Sequence, residues 1–180
     1  CGQVGELHTE AEVRVETILP SFRKGAVVRA LMSAHPYEEP AFDLYPLKNT
    51  WNQVGSGVVG ELAEPETETE FLKRIKKLFE VGCVKHTRLT GRLIQKVALC
   101  GGSGAFLASR AVESGADIFI TGEVKYHDYF NYENQILMAE IGHYESEQYT
   151  KEIFYSIIRD LCPDVEVQMT RVNTNPIKYL

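Results

Sequence analysis

The sequence lacks a long apolar run, a paired cysteine motif and an excess of basic residues. No apolar stretch approaches the roughly 20 residues of a membrane-spanning helix, and no basic-then-apolar leader opens the chain, so we expect neither a membrane protein nor a signal peptide. The four cysteines have no CxxC spacing, which predicts reduced, mostly buried thiols in a cytoplasmic protein. The net charge of −6 disfavours direct nucleic-acid binding, because neutralising phosphates requires a basic surface.

The composition is that of an ordinary globular protein, with 44% hydrophobic and 24% charged residues in 180 positions. A polar stretch over 48–57 predicts a boundary between segments 1–52 and 53–180. The first segment predicts a βαβ-like unit, with strands over 12–18 and 41–47 flanking a helix that Ser21 caps and that ends before Pro36. Because residue 1 is Cys rather than Met, we expect a fragment or a processed product.

The second segment predicts an α/β fold with a largely parallel sheet, because strand and helix patterns alternate along it. Expected strands cover 58–62, 83–89, 93–100, 116–120, 136–141 and 165–171. The second and third of these would form a hairpin at Thr90-Gly91. Expected helices cover 65–81, 105–114, 126–134 and 145–161, and the last would turn four apolar residues inward, namely Ile153, Ile157, Ile158 and Leu161.

Three polar motifs each follow a predicted strand directly: residues 101–104 (GGSG), 121–123 (TGE) and 142–143 (GH). The carboxyl ends of parallel strands share one edge of a sheet, and ligands of open α/β sheets bind at that edge. We therefore expect the three motifs to converge in space if their strands are parallel neighbours.

The glycine loop has two interpretations. Glycines between a strand and a helix allow close backbone approach, so Gly102, Ser103 and Gly104 could bind an anionic substrate at the helix start. A tight strand-to-helix turn has the same composition. The loop is not a Walker motif, because no Lys-Ser/Thr follows, and it does not match GxGxxG.

The spacing of His143 and Glu147 places an imidazole and a carboxylate one helical turn apart. That pair is a ligand set for zinc, manganese or iron. A capped helix terminus is the alternative. Glu123 could orient a ligand or act as a general acid or base, or merely cap a helix, and His127 at the same edge could equally be a surface or packing histidine.

Residues 35–40 (HPYEEP) form a distinctive motif, in which two prolines fix backbone angles and Tyr37 offers an aromatic anchor. Glu38 and Glu39 could be ligands. We interpret the motif as a rigid connection between the helix and the strand that follows it.

Together these motifs resemble one family, the dinuclear-metal-centre hexameric proteins, also called Ngg-one-interacting-factor-three-like proteins or GTP cyclohydrolase 1 type 2. The segments that carry the resemblance are 35–47 (HPYEEPAFDLYPL), 97–105 (VALCGGSGA), 115–127 (GADIFITGEVKYH), 142–147 (GHYESE) and 174–176 (TNP). The resemblance implies that 1–52 is part of a ferredoxin-like, PII-like insert and that 53–180 is the C-terminal half of a metal-binding α/β core.

The resemblance also implies a site. The family's C-terminal ligands fall on His143 and Glu147, and members hold two divalent cations per site in a homohexamer that takes a small-molecule ligand. The remaining family ligands, a His-His pair and an Asp, lie in an N-terminal half that has no counterpart here, because this chain has no His-His pair. We therefore expect this chain alone to lack a competent two-metal site.

Two functions follow from the resemblance. The first is a metal-dependent hydrolase of a nucleotide or phosphate-bearing small molecule, with His143 and Glu147 as ligands and Glu123 and His127 as candidate catalytic groups. The second is a non-catalytic metal-binding or regulatory ring scaffold. A transcription-partner role, described for some members, is less compatible with the acidic charge.

Overall fold

The computed structural model describes residues 3–9, 11–49 and 54–180. The chain divides into two compact units, Cys1–Thr50 and Trp51–Leu180. None of the helices in the described ranges has both the length and the apolar character that a bilayer span requires.

Within residues 3–9 and 11–49, the regular structure of the first unit is one helix with a short 3₁₀ turn before it. A 3₁₀ turn, Ser21–Arg23, leads into helix α1, Lys24–Ala34. No side chain caps its start, so the prediction of Ser21 as the cap is wrong. The helix ends at His35 as predicted, since the residue before a proline avoids the helical region. The amide of Tyr37 then donates to His35 Nδ1 over 3.1 Å.

The predicted strands over 12–18 and 41–47 are wrong, because no strand pairing occurs in the described residues up to 49. Val13 and Val15, expected on a half-buried face, are 88% and 84% exposed. An alternating segment becomes a strand only when a neighbour supplies hydrogen bonds and covers its apolar side chains. Neither condition is met in the described residues of this unit. Helix α1 is therefore not part of a βαβ-like arrangement.

The second unit contains a five-stranded mixed sheet in the order β1-β3-β4-β5-β2. The three central strands are parallel, and both edge strands are antiparallel to their neighbours. The predicted α/β class is thereby confirmed. The strands are β1 (Val58–Thr67), β2 (Lys85–His86), β3 (Leu93–Cys100), β4 (Ile118–Thr121) and β5 (Leu137–Glu140).

Helices cover both faces of this sheet. They are α2 (Glu68–Leu78), α3 (Ala108–Glu113, after a 3₁₀ turn at Gly104–Leu107), α4 (Tyr126–Asn131), α5 (His143–Glu147) and α6 (Thr150–Leu161). Side chains alternate across a strand, so Ile118 and Ile120 pack with α2 on one face, while Phe119 packs with α3 on the other. The three central strands run parallel, so their carboxyl ends lie at one edge of the sheet.

Helix α2 begins later and ends earlier than predicted. β1 continues to Thr67, and the helix starts at Glu68 with a capping box between Thr67 and Glu70. Its last residue is Leu78, and Glu80 adopts a φ of 54°, so the chain has already left the helix before Gly82.

The predicted hairpin at Thr90-Gly91 is wrong. β2 pairs with β5 at the far edge of the sheet, and β3 lies between β1 and β4. The Thr90-Gly91 turn is instead held by the carboxylate of Glu68, which accepts hydrogen bonds from both residues. The loop therefore crosses the sheet rather than reversing beside its own strand.

The last third of the unit also differs from expectation. The predicted helix over 145–161 is two helices, α5 and α6. The four apolar α6 residues expected inward are 39–76% exposed, because no element of the described chain covers them. Residues 165–171 form no strand. Cys83 and Cys162 are exposed and only Cys100 is buried among the described cysteines, which corrects the expectation of mostly buried thiols.

Candidate metal-binding site

The loops after β3, β4 and β5 meet at the carboxyl edge of the sheet, as the parallel strand order predicts. The amide of Gly102 donates to Ser146 Oγ over 2.8 Å. The amide of Glu123 donates to the carbonyl oxygen of Gly102 over 3.0 Å. All three predicted motifs therefore lie in one hydrogen-bonded cluster.

His143 is the centre of this cluster. Its Nδ1 atom lies 2.9 Å from Glu123 Oε1, and its Nε2 atom lies 3.2 Å from Glu147 Oε2. The imidazole is 42% exposed and the two carboxylates are 55% and 53% exposed, so solvent reaches all three. His143 and Glu147 share a face because α5 begins at His143, directly after Gly142 with its φ of 95°.

Glu123 determines that the Nδ1 atom of the His143 ring carries a proton. Ser103 Oγ donates to Glu123 Oε2 over 2.7 Å, and this bond, followed by that from His143, holds the pKa of the Glu123 carboxyl below its usual value. An ionised carboxylate can only accept, so Nδ1 of His143 carries a proton. Such a carboxylate–histidine pair is the arrangement that orients metal-binding imidazoles.

On the opposite side of the ring, Nε2 faces the Glu147 carboxylate. In the neutral imidazole Nε2 has a free lone pair, and Glu147 Oε2 is also an acceptor. Two acceptors 3.2 Å apart repel each other unless a proton or a cation lies between them. The distance is also about that of two donors sharing one cation with bonds of about 2.0–2.1 Å at a tetrahedral angle. The donor set thus fits a divalent cation.

Gly102 makes room at this position. It has a φ of 59°, and a Cβ atom built on it would overlap Glu147 Oε1 and lie 3.4 Å from His143 Nε2. Any side chain here would fill the space in front of the pair. The glycine therefore keeps open the approach to the Nε2 and carboxylate atoms.

Ser146 is a residue of the cluster that the sequence interpretation missed. Its hydroxyl accepts from the Gly102 amide and donates to the carbonyl oxygen of His143 over 2.8 Å. It thereby joins the glycine loop to the first turn of α5. A serine three residues after a candidate ligand, on the same side of the helix, was the available signal.

Contacts within the protein already involve both Gly102 and Gly104 of the glycine loop. The Gly102 amide is used by Ser146, and Gly104 is buried where a Cβ would lie 2.7 Å from Cys100 Sγ and Thr121 Oγ1. Of the three residues predicted to bind substrate, Ser103 alone is exposed. The structure assigns the two glycines to close packing, and substrate contact at Ser103 stays a prediction.

His127 is not brought to the cluster. It is exposed, its ring contacts that of Tyr126 at 5.3 Å between centroids, and no hydrogen bond or ion pair connects it with the site in the described ranges. Its catalytic assignment has no geometric support.

The donors present make a partial site. The pair supplies at most three donor atoms, one imidazole nitrogen and two carboxylate oxygens. No group of three or more His, Cys, Asp or Glu residues within 3–9, 11–49 and 54–180 is arranged to hold a metal ion.

Comparison with known proteins identifies the family. The profile of Duf34/NIF3 (NGG1p interacting factor 3) matches residues 6–176. The chain belongs to this family. Curated relatives called GTP cyclohydrolase 1 type 2 homolog are 36% identical in Halalkalibacterium halodurans and 34% identical in Bacillus subtilis, and each match covers 99% of this chain and 49% of the relative. The resemblance drawn from the motifs is confirmed.

Solved structures agree with this assignment. Staphylococcus aureus protein SA1388 matches with a TM-score of 0.72 and 27% identity over 92% of this chain and 55% of that one. A Bacillus cereus protein related to NIF3 matches with a TM-score of 0.69 and 26% identity over 90% of this chain and 46% of that one. The chain spans about half the length of the curated relatives it matches.

Proposed function

We propose that this chain contributes His143 and Glu147 to a divalent-cation site for zinc, manganese or iron. The observation that carries the proposal is the 3.2 Å pairing of Nε2 with Glu147 Oε2 beside Gly102, while Glu123 holds the proton on Nδ1. Glu123 acts as the orienting carboxylate.

Donor count favours a shared site. Two cations about 3.5–4 Å apart require several protein ligands, and the described residues provide one imidazole and one carboxylate. Other parts of a longer protein, or another copy in a homohexamer, would supply the rest. The relatives, about twice as long as this chain, have the additional length for such ligands.

We propose further that the complete protein is a hydrolase acting on a nucleotide or another phosphate-bearing small molecule. A bound cation would polarise a substrate oxygen and make a nucleophile available near neutral pH. Ser103, exposed and hydrogen-bonded to Glu123, is the residue of the glycine loop placed to contact substrate. The lowered pKa of Glu123 favours an orienting role over proton donation. The nucleotide class rests on the relatives' names.

One observation favours the alternative, a non-catalytic metal-binding scaffold. The Gly102 amide and the buried Gly104 are already committed to contacts within the protein, so the loop offers little of the backbone cradle that a phosphate requires. A protein that only holds cations has no need of such a cradle.

Metal analysis and turnover separate these functions. The complete protein, loaded with cations, is assayed with GTP and a simple phosphate ester, together with His143→Ala, Glu147→Ala and the matched control Glu113→Ala, an exposed glutamate paired with Arg110. Loss of turnover in the first two variants, with assembly intact, supports the hydrolase. Full metal occupancy without turnover supports the scaffold, and equal metal content in wild type and His143→Ala overturns the site itself.

A further inference from the structure

Glu145 lies on α5 between the two proposed ligands but faces away from them. It is two residues from His143 and from Glu147, a spacing that turns a side chain to the other side of a helix. Its residue exposure is 6%, whereas the carboxylate of Glu147 is 53% exposed. The short helix thus carries an accessible carboxylate on one side and a buried carboxylate on the other.

The buried carboxylate contacts the C-terminal segment. Glu145 Oε1 accepts a hydrogen bond from Asn175 Nδ2 over 2.9 Å. Oε2 has no hydrogen-bond partner in the described part of the chain. That oxygen lies against Gly142, where any Cβ atom would overlap it, so the glycine before α5 is required by Glu145 as well as by its own positive φ.

Tyr179 closes the other side of this carboxylate. Its ring packs on Gly82, where an added Cβ would lie 3.0 Å away, and its hydroxyl would lie 3.3 Å from a Cβ on Gly142. Burial, followed by the negative charge of Glu145, raises the pKa of Tyr179. Asn175 and Tyr179 therefore both lie in the surroundings of the Glu145 carboxylate.

This arrangement costs free energy locally. A buried carboxylate whose one hydrogen bond comes from a neutral amide is unfavourable. Helix α5 has five residues, too few to be stable as an isolated helix. Its direction must therefore be set by contacts, and the Glu145–Asn175 bond is the contact opposite the two ligands.

We propose that Glu145 and Asn175 form a clasp that positions α5, so that His143 and Glu147 face the opening at Gly102. The clasp makes Glu145 and Asn175 positioning residues, and Tyr179 supports them by closing the pocket. This inference rests on the proposed cation site. It assigns a role to the C-terminal TNP motif, which the site residues themselves do not touch.

The test compares Glu145→Ala, Glu145→Gln and Asn175→Ala with the control Val172→Ala, an exposed residue of the same segment. The first measurement is the ring-nitrogen NMR signal of His143 in cation-free protein. The second is Zn²⁺ affinity by calorimetry, and thermal unfolding with a chelator reports folding. We expect Glu145→Ala and Asn175→Ala to shift the His143 signals and to weaken Zn²⁺ binding about 10-fold or more, and Val172→Ala to change neither.

Glu145→Gln distinguishes position from charge. The glutamine keeps the shape and an oxygen that accepts from Asn175, so the clasp predicts affinity and His143 signals close to wild type. If the glutamine variant is as defective as the alanine variant, Glu145 acts through its charge and the clasp is wrong. The clasp would also be wrong if the alanine variants lost thermal stability but kept the His143 signals and the Zn²⁺ affinity of the wild type. The Glu145–Asn175 contact would then contribute only to packing. If the wild-type protein binds no Zn²⁺, the proposed cation site is wrong. The NMR signals of His143 would still test the clasp in that case.

Discussion

Two glutamate side chains in the same unit differ in what their oxygens can still bind. Glu68, at the start of α2, is 4% exposed and accepts from the amides of Thr90 and Gly91 and from the Thr90 hydroxyl at 2.7–3.0 Å. Glu147 is half exposed, and among the described residues its one side-chain partner is His143. A saturated carboxylate holds a loop in place, whereas an unsaturated one beside an imidazole has lone pairs available for a ligand.

The largest expected effect is on cation affinity. Replacing Glu147 by Ala removes a proposed ligand, so Zn²⁺ affinity should fall by at least about 100-fold, beyond the usual effect of losing an outer contact. The midpoint of thermal unfolding in chelator should change little, because the side chain is exposed. Glu68→Ala should show the reverse pattern. Calorimetric titration and thermal unfolding of both variants check the contrast, and retained Zn²⁺ affinity in Glu147→Ala would contradict it.

The next effect is on stability. Glu68→Ala leaves the Thr90 and Gly91 amides without their charged acceptor and should lower the free energy of unfolding by about 2–4 kcal/mol, since hydrogen bonds to charged groups each contribute about 1.5–3 kcal/mol and do not add fully. Urea unfolding measures the change. Glu113→Ala, which breaks an exposed pair with Arg110, is the control and should cost under about 1 kcal/mol. An equal loss of unfolding free energy in Glu68→Ala and Glu113→Ala would contradict the distinction between saturated and exposed carboxylates.

The pH dependence of stability sharpens the same comparison. Burial raises the pKa of Glu68, but the hydrogen bonds from the Thr90 hydroxyl and from the Thr90 and Gly91 amides, with the charge of Arg92, bring it below its usual value. The stability this carboxylate contributes is present above its unfolded pKa of about 4.3 and is lost as the pH falls through its lower folded pKa. Urea midpoints measured from about pH 6 to about pH 3 should fall less steeply in Glu68→Gln than in wild type, and identical slopes would contradict the assignment.

The sequence predicted the parts of this fold that depend on local order along the chain. Strand and helix patterns alternate along the second unit, so the parallel order of its central strands and the meeting of Gly102, Glu123 and His143 at one edge followed from topology alone. The role of Ser146 did not follow, because it depends on a distance between two loops. The Thr90-Gly91 turn looked like a hairpin, since nothing local indicates that Glu68, more than twenty residues earlier, accepts its amides.

The wrong predictions about which side chains are buried have a different cause. The apolar stripe of α6, which includes Ile153 and Ile157, has the periodicity of a buried face, yet both side chains are about half exposed. Periodicity reports that a face requires a partner and not which element supplies it. The same reasoning applies to the segments over 12–18 and 41–47, whose strand-like alternation has no pairing neighbour in the described residues of the first unit.

The smallest expected effect concerns the cap just before Glu68. Thr67 Oγ1 accepts a hydrogen bond from the Glu70 amide over 3.3 Å. The Glu70 carboxylate in turn accepts hydrogen bonds from the Thr67 amide and hydroxyl. Thr67→Ala should cost about 1 kcal/mol, the usual value of an N-cap, because the N-terminal amides of α2 lose one acceptor while Glu68 keeps the Thr90-Gly91 loop in place. Urea unfolding with Thr69→Ala, an exposed threonine inside the helix, as the matched control measures it. A loss as large as that of Glu68→Ala would mean that the loop and the cap unfold together, and that the saturated carboxylate cannot be treated as a separate element.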